Sequence, residues 1–343
     1  MAGRSSDELI DLVAVARFLD GHGLGTGPLE AAPLGDGHSN LTYSIRREGL
    51  EAVLRRPPPP PLPPSAHDVV REGRILAALH RVGARVPAVL ASCEDLALIG
   101  VPFIVMERAE GVPIESDLPV AVDTPEGRRA LAEDVIDALV EVHALDLDAS
   151  GLGGFGRSDG YLERQLRRFL ALWDVNRTRD LPLVGRVHEA LAARRPASGP
   201  ATFVHGDYRL GNLLAAAAAP GRVAAILDWE LATVGDPLAD LGYLLSTYRD
   251  PLLSPVTARA GFPSPGELVA RYAQRSGRPV VAIGWYEALA HWKSAIFCED
   301  MYRRHLAGER DDAFARAMQH AVPAKLEAAW LALVGGSPTA HPV

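Results

Sequence analysis

The sequence predicts an α+β protein in two parts: a small antiparallel sheet with one helix, then a mainly α-helical region. Three observations carry this. Between residues 29 and 106 the apolar pattern is mostly that of short strands broken by turns. From about residue 124 the spacing becomes helical, and a strand-rich interlude at 202–228 interrupts the helices. A chain of 343 residues is also longer than one small core requires, which favours two lobes.

The elements follow in order. Residues 6–19 read as an amphipathic helix with Ser6 as N-cap and Asp7 and Glu8 in its first turn. Strands are expected at 29–34, 41–47 and 51–55, and the turn LGDGHSN (34–40) carries Gly35 and Gly37. The run PPPPPLPP (57–64) cannot be regular helix or central strand and reads as an extended linker. A helix at 68–81 and strands near 87–92 and 101–106 complete an N-terminal lobe at 1–106. ERAEGVPI (107–114) breaks regularity and reads as a connector to a C-terminal lobe at 115–343. Helices are expected there at 124–144, 160–175, 183–194, 237–248, 265–276, 281–306 and 311–334. A cleft between two such lobes is a natural ligand site.

Composition excludes several classes. Net charge of −8 argues against a nucleic-acid partner, which requires a basic face. Cys93 and Cys298 lie far apart in no metal-binding spacing and read as reduced thiols of a cytoplasmic protein. The first residues lack the layout of a signal peptide, and no apolar run is long enough for a membrane span. Of 35 basic residues only Lys293 and Lys325 are lysines.

The chemistry concentrates in FVHGDYRLGNLL (203–214). Asp207 follows a strand, so its carboxylate sits at a strand end, and a four-residue loop separates it from Asn212. A second strand, 223–227, ends at Asp228 in ILDWE. Two antiparallel strands joined by a turn would bring Asp207, Asn212 and Asp228 around a common volume. One carboxylate could then take a hydroxyl proton while an Asn/Asp pair holds Mg²⁺, the parts that phosphoryl transfer needs.

HGDYRLGN followed by ILDWE and DPLADL resembles the aminoglycoside phosphotransferase-like superfamily, relatives of the protein kinases, over roughly residues 25–310. GDGHSNLTY, VLRRPPP, FIVMERAEG, GLGGFGR and GYLERQLRRF are similar to the subgroup that includes kinase-like domains fused to acyl-CoA dehydrogenases. The resemblance implies a bilobal protein-kinase-like fold with ATP in the cleft, Asp207 as catalytic base, and Asn212 and Asp228 as magnesium ligands. It implies that Gly35, Gly37, Ser39 and Asn40 form the loop over the phosphates, the other reading being an ordinary hairpin turn. Glu107 to Ala109 resemble the hinge whose backbone binds adenine. Kinases normally place a lysine on the third strand, but no lysine precedes residue 293. Arg55 stands where the subgroup places its cation, with Glu72 as its helix partner. Arg56 is the adjacent candidate, on the opposite face of the strand. His205 is expected to order the loop. Asp240 either accepts hydrogen bonds from the catalytic-loop backbone or is a plain first-turn acid. Glu230 either supports the metal site or faces solvent.

The acceptor is expected to be a small-molecule hydroxyl. Glu299 and Asp300 would suit a polycation, whereas Arg209, beside the proposed base, suits an anionic acceptor such as a carboxylate or a CoA ester; Arg164, Arg167 and Arg168 lie in the same lobe, the latter two reading also as solvent-facing helix arginines. The resemblance to the dehydrogenase-linked subgroup implies a hydroxyacyl compound. Tyr161, Trp292 and Tyr302 line an apolar pocket or pack in the core. Two further readings stand beside a small-molecule kinase: a catalytically inactive nucleotide-binding sensor of the same fold, and a protein kinase. DPLADL arrives soon after DWE, which leaves little room for the peptide platform of a protein kinase.

Overall fold

The computed structural model describes residues 9–35, 40–59, 67–217, 221–310 and 312–335. The chain divides into two compact units, one comprising Met1–Gly111 with Ala224–Glu230, the other Val112–Val223 with Leu231–Val343. The boundary at 111/112 falls inside the expected connector. Residues 224–230, which the sequence reading placed with the C-terminal part, belong to the first unit.

The first unit opens with α1 (Leu12–Gly21), whose N-cap is Asp11: its carboxylate accepts from the Val13 and Ala14 N–H groups. The expected start at Ser6 lies outside the described residues. Strands β1 (Thr26–Pro33), β2 (Leu41–Glu48) and β3 (Leu50–Arg56) form an antiparallel meander. After α2 (Val69–Arg81), β4 (Val89–Cys93), the four-residue α3 (Leu96–Ile99) and β5 (Phe103–Glu107), the sheet order is β1-β2-β3-β5-β4. Of this unit's helices, α1 and α2 fall within the expected 6–19 and 68–81 stretches to within two residues, and the short α3 is the one the sequence did not announce. Strand alternation divides β3 between two faces. Ala52 and Leu54 pack with Val15 and Leu19 of α1 in the core, which sends Arg55 to the face covered by α2. There α2 lies so close to β5 that a Cβ at Gly73 would meet the Ile104 side chain at 2.9 Å.

The second unit holds β6 (Val112–Pro113), α4 (Pro125–His143), α5 (Leu147–Ser150), α6 (Tyr161–Asn176), α7 (Leu183–Ala193), β7 (Thr202–Val204) and β8 (Leu213–Ala215). Beyond β9 (Val223–Ile226), it continues with β10 (Thr233–Gly235), α8 (Leu238–Tyr248), α9 (Pro265–Ser276), α10 (Ile283–Leu306) and α11 (Ala313–Val334). β7 pairs antiparallel with β10, Val204 opposite Thr233, and β6 pairs with β8. Helix α10 packs along α11, α8 and α6, and its buried indoles donate to helix-end carbonyls of α7: Trp285 to Leu191 at 2.9 Å, Trp292 to Val184 at 3.1 Å. No helix among the described residues is long and apolar enough to cross a membrane.

Candidate active site

The candidate residues fall into one group in each unit. In the first, β3 delivers Arg55 to a cluster of three carboxylates. Arg55 Nε lies 3.0 Å from Glu72 Oε2, and its NH2 lies 2.5 Å from Asp228 Oδ1 and 3.6 Å from Glu230 Oε2. Both Arg55 and Glu72 are buried. Burial works against the guanidinium charge, yet Glu72, Asp228 and Glu230 outweigh it and hold Arg55 firmly protonated. Burial pushes the Glu72 carboxyl up, and Arg55 opposes that rise. Asp228 sits at the end of β9 with φ +66°, a left-handed backbone that is uncommon for an aspartate and that aims its side chain out of the strand. Trp229 behind it anchors the turn through Nε1 to the Ile226 carbonyl at 2.9 Å.

Glu230 faces this cluster rather than solvent. It accepts from Asn40 Nδ2 at 2.9 Å, and its carbonyl accepts from Arg71 at 3.4 Å. Asn40, which precedes β2, is thereby tied to the segment after β9. Gly35 has φ +72°, as a tight turn needs. Gly37 and Ser39 lie outside the described residues. Arg56 points the other way, to the carbonyls of Leu9 and Pro57. At the end of β5 the Glu107 N–H is committed to the Ala88 carbonyl at 2.8 Å, while Ala109 is half-buried in the connector.

In the second unit, β7 leads into His205-Gly206-Asp207. Asp240, in the first turn of α8, holds this loop from beneath. It accepts from the His205 N–H at 2.6 Å and the Gly206 N–H at 2.8 Å. Asp240 also contacts His143 Nε2 at 3.2 Å, and His143 Nδ1 meets the Tyr272 hydroxyl at 2.8 Å. Burial would raise the Asp240 carboxyl, but these bonds, His143 foremost, hold it below the ordinary carboxylate range. His205 Nδ1 accepts from the Asp207 N–H at 3.2 Å, fixing the turn from within. Gly206 has φ +86°, and a Cβ there would fall 2.8 Å from the Leu231 carbonyl oxygen.

Asp207 is met from three sides. Asn212 Nδ2 donates to its carboxylate at 2.8 Å and to its carbonyl at 2.9 Å, leaving the Asn212 Oδ1 as the amide's acceptor atom. Arg209 Nε stands 3.6 Å from the same carboxylate, and its NH1 lies 3.8 Å from Glu115. Tyr243, three residues past Asp240 on α8, completes the shell through a hydroxyl hydrogen bond to Asp207. Such an arrangement can orient a carboxylate toward a hydroxyl and receive its proton.

Several expectations about the acceptor site do not hold. Glu299 is fully buried and both its oxygens are taken, one by the Thr178 N–H and hydroxyl at 3.0 and 2.7 Å, the other by Arg179 at 3.1 Å. It braces the α6–α7 connection from α10 and offers nothing to a ligand. Asp300 is paired with Arg303 at 2.8 Å. Trp292 and Tyr161 are core rings, the latter packed so closely on Gly235 that a Cβ there would lie 2.7 Å from the ring. Tyr302 lies under the Arg179 guanidinium at 4.7 Å. Arg164 donates to the Arg157 carbonyl and lines, with Asp159, Glu163 and Arg167, a cavity of about 820 Å³. His143, Tyr243 and Glu115 escape the motif reading; only Tyr243 had a signal, its helical i+3 spacing from Asp240.

A family model described as phosphotransferase enzyme family matches residues 30–292. The chain belongs to that family. Acyl-CoA dehydrogenase family member 10 of Mus musculus is 34% identical over 315 residues, covering 89% of this chain and 29% of its own. The chain thus spans about a third of the length of the first curated relatives it matches. A candidate aminoglycoside phosphotransferase of known structure from Ralstonia eutropha is 29% identical, with a TM-score of 0.78 over 94% of this chain and 98% of that one. An aminoglycoside phosphotransferase in ternary complex with AMP-PNP and hygromycin B shares the fold, with a TM-score of 0.59 at 20% identity over 92% of this chain and 98% of that one. The fold is therefore that of the kinase-like aminoglycoside phosphotransferases.

Proposed function

We propose that the protein transfers the γ-phosphoryl group of ATP to a hydroxyl of an anionic small molecule, a hydroxyacyl compound rather than an aminoglycoside, in the cytoplasm. The observation that carries this reading is the Asp207 carboxylate, held by Asn212 at 2.8 Å in a loop clamped through two backbone bonds to Asp240. Asp207 takes the proton of the acceptor hydroxyl as that oxygen forms its bond to the γ-phosphorus. The bond from phosphorus to the bridging oxygen breaks, and ADP leaves with the electron pair. Arg55, seated on Glu72, contacts the phosphates that are not transferred, and Asn40 and Gly35 belong to the loop above them. Ala109 and the Glu107 carbonyl face the adenine.

Magnesium would be held by Asn212 Oδ1 and the Asp228 carboxylate. The donors suit it: both are oxygens, as a hard cation prefers, and Asp228 already faces a cation, the Arg55 guanidinium at 2.5 Å. When bound, the metal neutralises phosphate charge. Among the described residues no group of three or more His, Cys, Asp or Glu side chains forms a metal cluster, so phosphate oxygens and water would complete the shell. Arg209 beside the base favours a negatively charged acceptor, and Glu299, being consumed internally, leaves a polycation without that carboxylate.

The test is Asp207→Asn. Loss of the base should lower turnover by roughly 10²–10⁴-fold, while ATP affinity, measured by calorimetry, stays within several-fold. Undiminished turnover would remove Asp207 from the base role. ATP binding with no consumption across a broad hydroxyl panel, in the unaltered protein, would favour the sensor reading.

A further inference from the structure

Lysine is almost absent from this chain, and the two that occur are placed very differently. Lys325 pairs with Asp250 at 3.5 Å. Lys293, on the α10 face that packs between α6 and α8, is only 8% exposed. Its ammonium lies 4.9 Å from the centroid of the Phe169 ring, and it makes no hydrogen bond or close ion pair among the described residues.

That is a costly way to keep a lysine. Lys293 Nζ is not among the polar atoms sealed from solvent, yet moving an ammonium out of bulk water costs several kcal/mol even where some water still reaches it. A cation–π contact returns only about 0.5–2 kcal/mol. Burial pushes the Lys293 ammonium down to about 8, and the fields of Asp240 and Asp207 partly restore it. Neither carboxylate is spare. Asp240 serves the His205 and Gly206 N–H groups and His143, and Asp207 serves Asn212, Arg209 and Tyr243. The ammonium therefore stands in the neighbourhood of the proposed base with three donor hydrogens and no acceptor of its own. A methionine or leucine would fill the same space beside Phe169 without the cost, so the charge needs a use.

We propose that Lys293 binds a carboxylate of the acceptor and so selects hydroxy acids over neutral alcohols, which deepens the function proposed above and rests on Asp207 being the acceptor-side base. The carboxylate supplies the missing hydrogen-bond acceptor, and the acceptor hydroxyl is thereby presented to Asp207. The Phe169 ring faces the ammonium at 4.9 Å. Arg209, on the other side of Asp207, is tied to Asp207 and Glu115 and is less available for this role.

Two lysines make the test direct. Protein labelled with ¹³C at lysine Cε shows two lysine signals, assigned by Lys293→Met and Lys325→Met. The ADP-loaded protein is titrated with hydroxycarboxylates of two to eight carbons, each matched by its primary amide. The Lys293 signal is expected to shift with at least one acid and not with its amide, while the Lys325 signal stays still. In parallel, ATP consumption with that acid should show KM for the acid rising about 10- to 100-fold in Lys293→Met, the loss of one charge-assisted hydrogen bond. Lys293→Arg should lose less, because the charge is kept and only the geometry changes. No shift with any acid, or equal shifts with acids and amides, overturns the assignment. A Lys293 shift without ATP consumption upholds the site and defeats the kinase reading, whereas consumption of ATP with an amide and no Lys293 shift does the opposite.

Discussion

Removing the Arg55 charge should expose how three carboxylates coexist in the first unit. In Arg55→Met the apolar stem survives but Glu72, Asp228 and Glu230 lose the cation that lies 3.0, 2.5 and 3.6 Å from them. Each attraction is worth roughly 5–7 kcal/mol at an effective dielectric of about 20, most of it offset by the desolvation of the groups involved. Deleting one partner of a buried pair typically costs about 3–5 kcal/mol, because the other is left charged and dry. Here Glu72 can escape by taking up a proton, since burial already pushes its carboxyl upward and Arg55 is the main group that opposes that, with a lesser backbone hydrogen bond from Trp229. The loss should therefore depend on pH. With its folded pKa raised further, Glu72 contributes stability that is fully present below the unfolded carboxyl range. That contribution is lost as pH rises toward the folded value, at up to about 1.4 kcal/mol per pH unit. Urea unfolding of Arg55→Met should show a midpoint that falls steadily from pH 5 to pH 8, more steeply than in the unaltered protein. Arg55→Met combined with Glu72→Met should recover most of the loss, as buried pairs replaced by apolar residues usually do. A penalty below about 1 kcal/mol at pH 8, or a double variant no better than the single one, would refute this account of the cluster.

Three other substitutions probe the rest of the frame. Gly206→Ala should destabilise by roughly 2–3 kcal/mol and abolish turnover, since it adds left-handed strain to a clash with the Leu231 carbonyl; Gly35→Ala, with a similar φ and nothing within 4 Å of its Cβ, should cost only the strain of about 1–2 kcal/mol. Equal effects in thermal unfolding would mean that the close approach at Gly206 is unimportant. His291 is held down from 6.5 to about 4 by burial and by Lys325 nearby. Its contribution is present above the unfolded value and lost as pH falls from about 6.5 through 4, by up to roughly 3 kcal/mol. His291→Leu should flatten the acid limb of urea stability across that window, and parallel curves for the two proteins would dismiss it.

Most elements were legible because apolar spacing is a local property: α9 at Pro265–Ser276 and α2 at Val69–Arg81 match the expected spans almost residue for residue. The start of α1 is a different case. The expected cap, Ser6, lies outside the described residues, and the structure caps α1 with Asp11, next to the apolar stripe. Asp207 and Asn212 were legible for the same local reason, five residues apart across one loop. The bracing of Glu299 by Thr178 and Arg179 was not, because nothing in FCEDMYRRH records what lies 120 residues earlier. His143 beneath Asp240 is hidden likewise, at a separation of 97 residues.

Arg55 shows where local reading and fold meet. Alternation along β3 settles its face, since Ala52 and Leu54 are claimed by the core against α1. What it reaches there depends on long-range register: α2 supplies Glu72, and the return of the chain at Ala224–Glu230 supplies Asp228 and Glu230. The planar fork engages α2 through Nε and the turn after β9 through NH2 at once. A lysine ammonium is a point charge at the end of one stem and cannot hold the ion pair to α2 and the hydrogen bond to the turn from two separate nitrogens. Arginine at this position therefore does more than supply a positive charge. It joins strand, helix and the Asp228 turn through one rigid group, so Arg55→Lys should loosen the Asp228 turn even though the charge is kept. Faster amide hydrogen exchange at Trp229 and Glu230, with little change in α1, would be the sign of it; unchanged exchange there would reduce Arg55 to a simple cation.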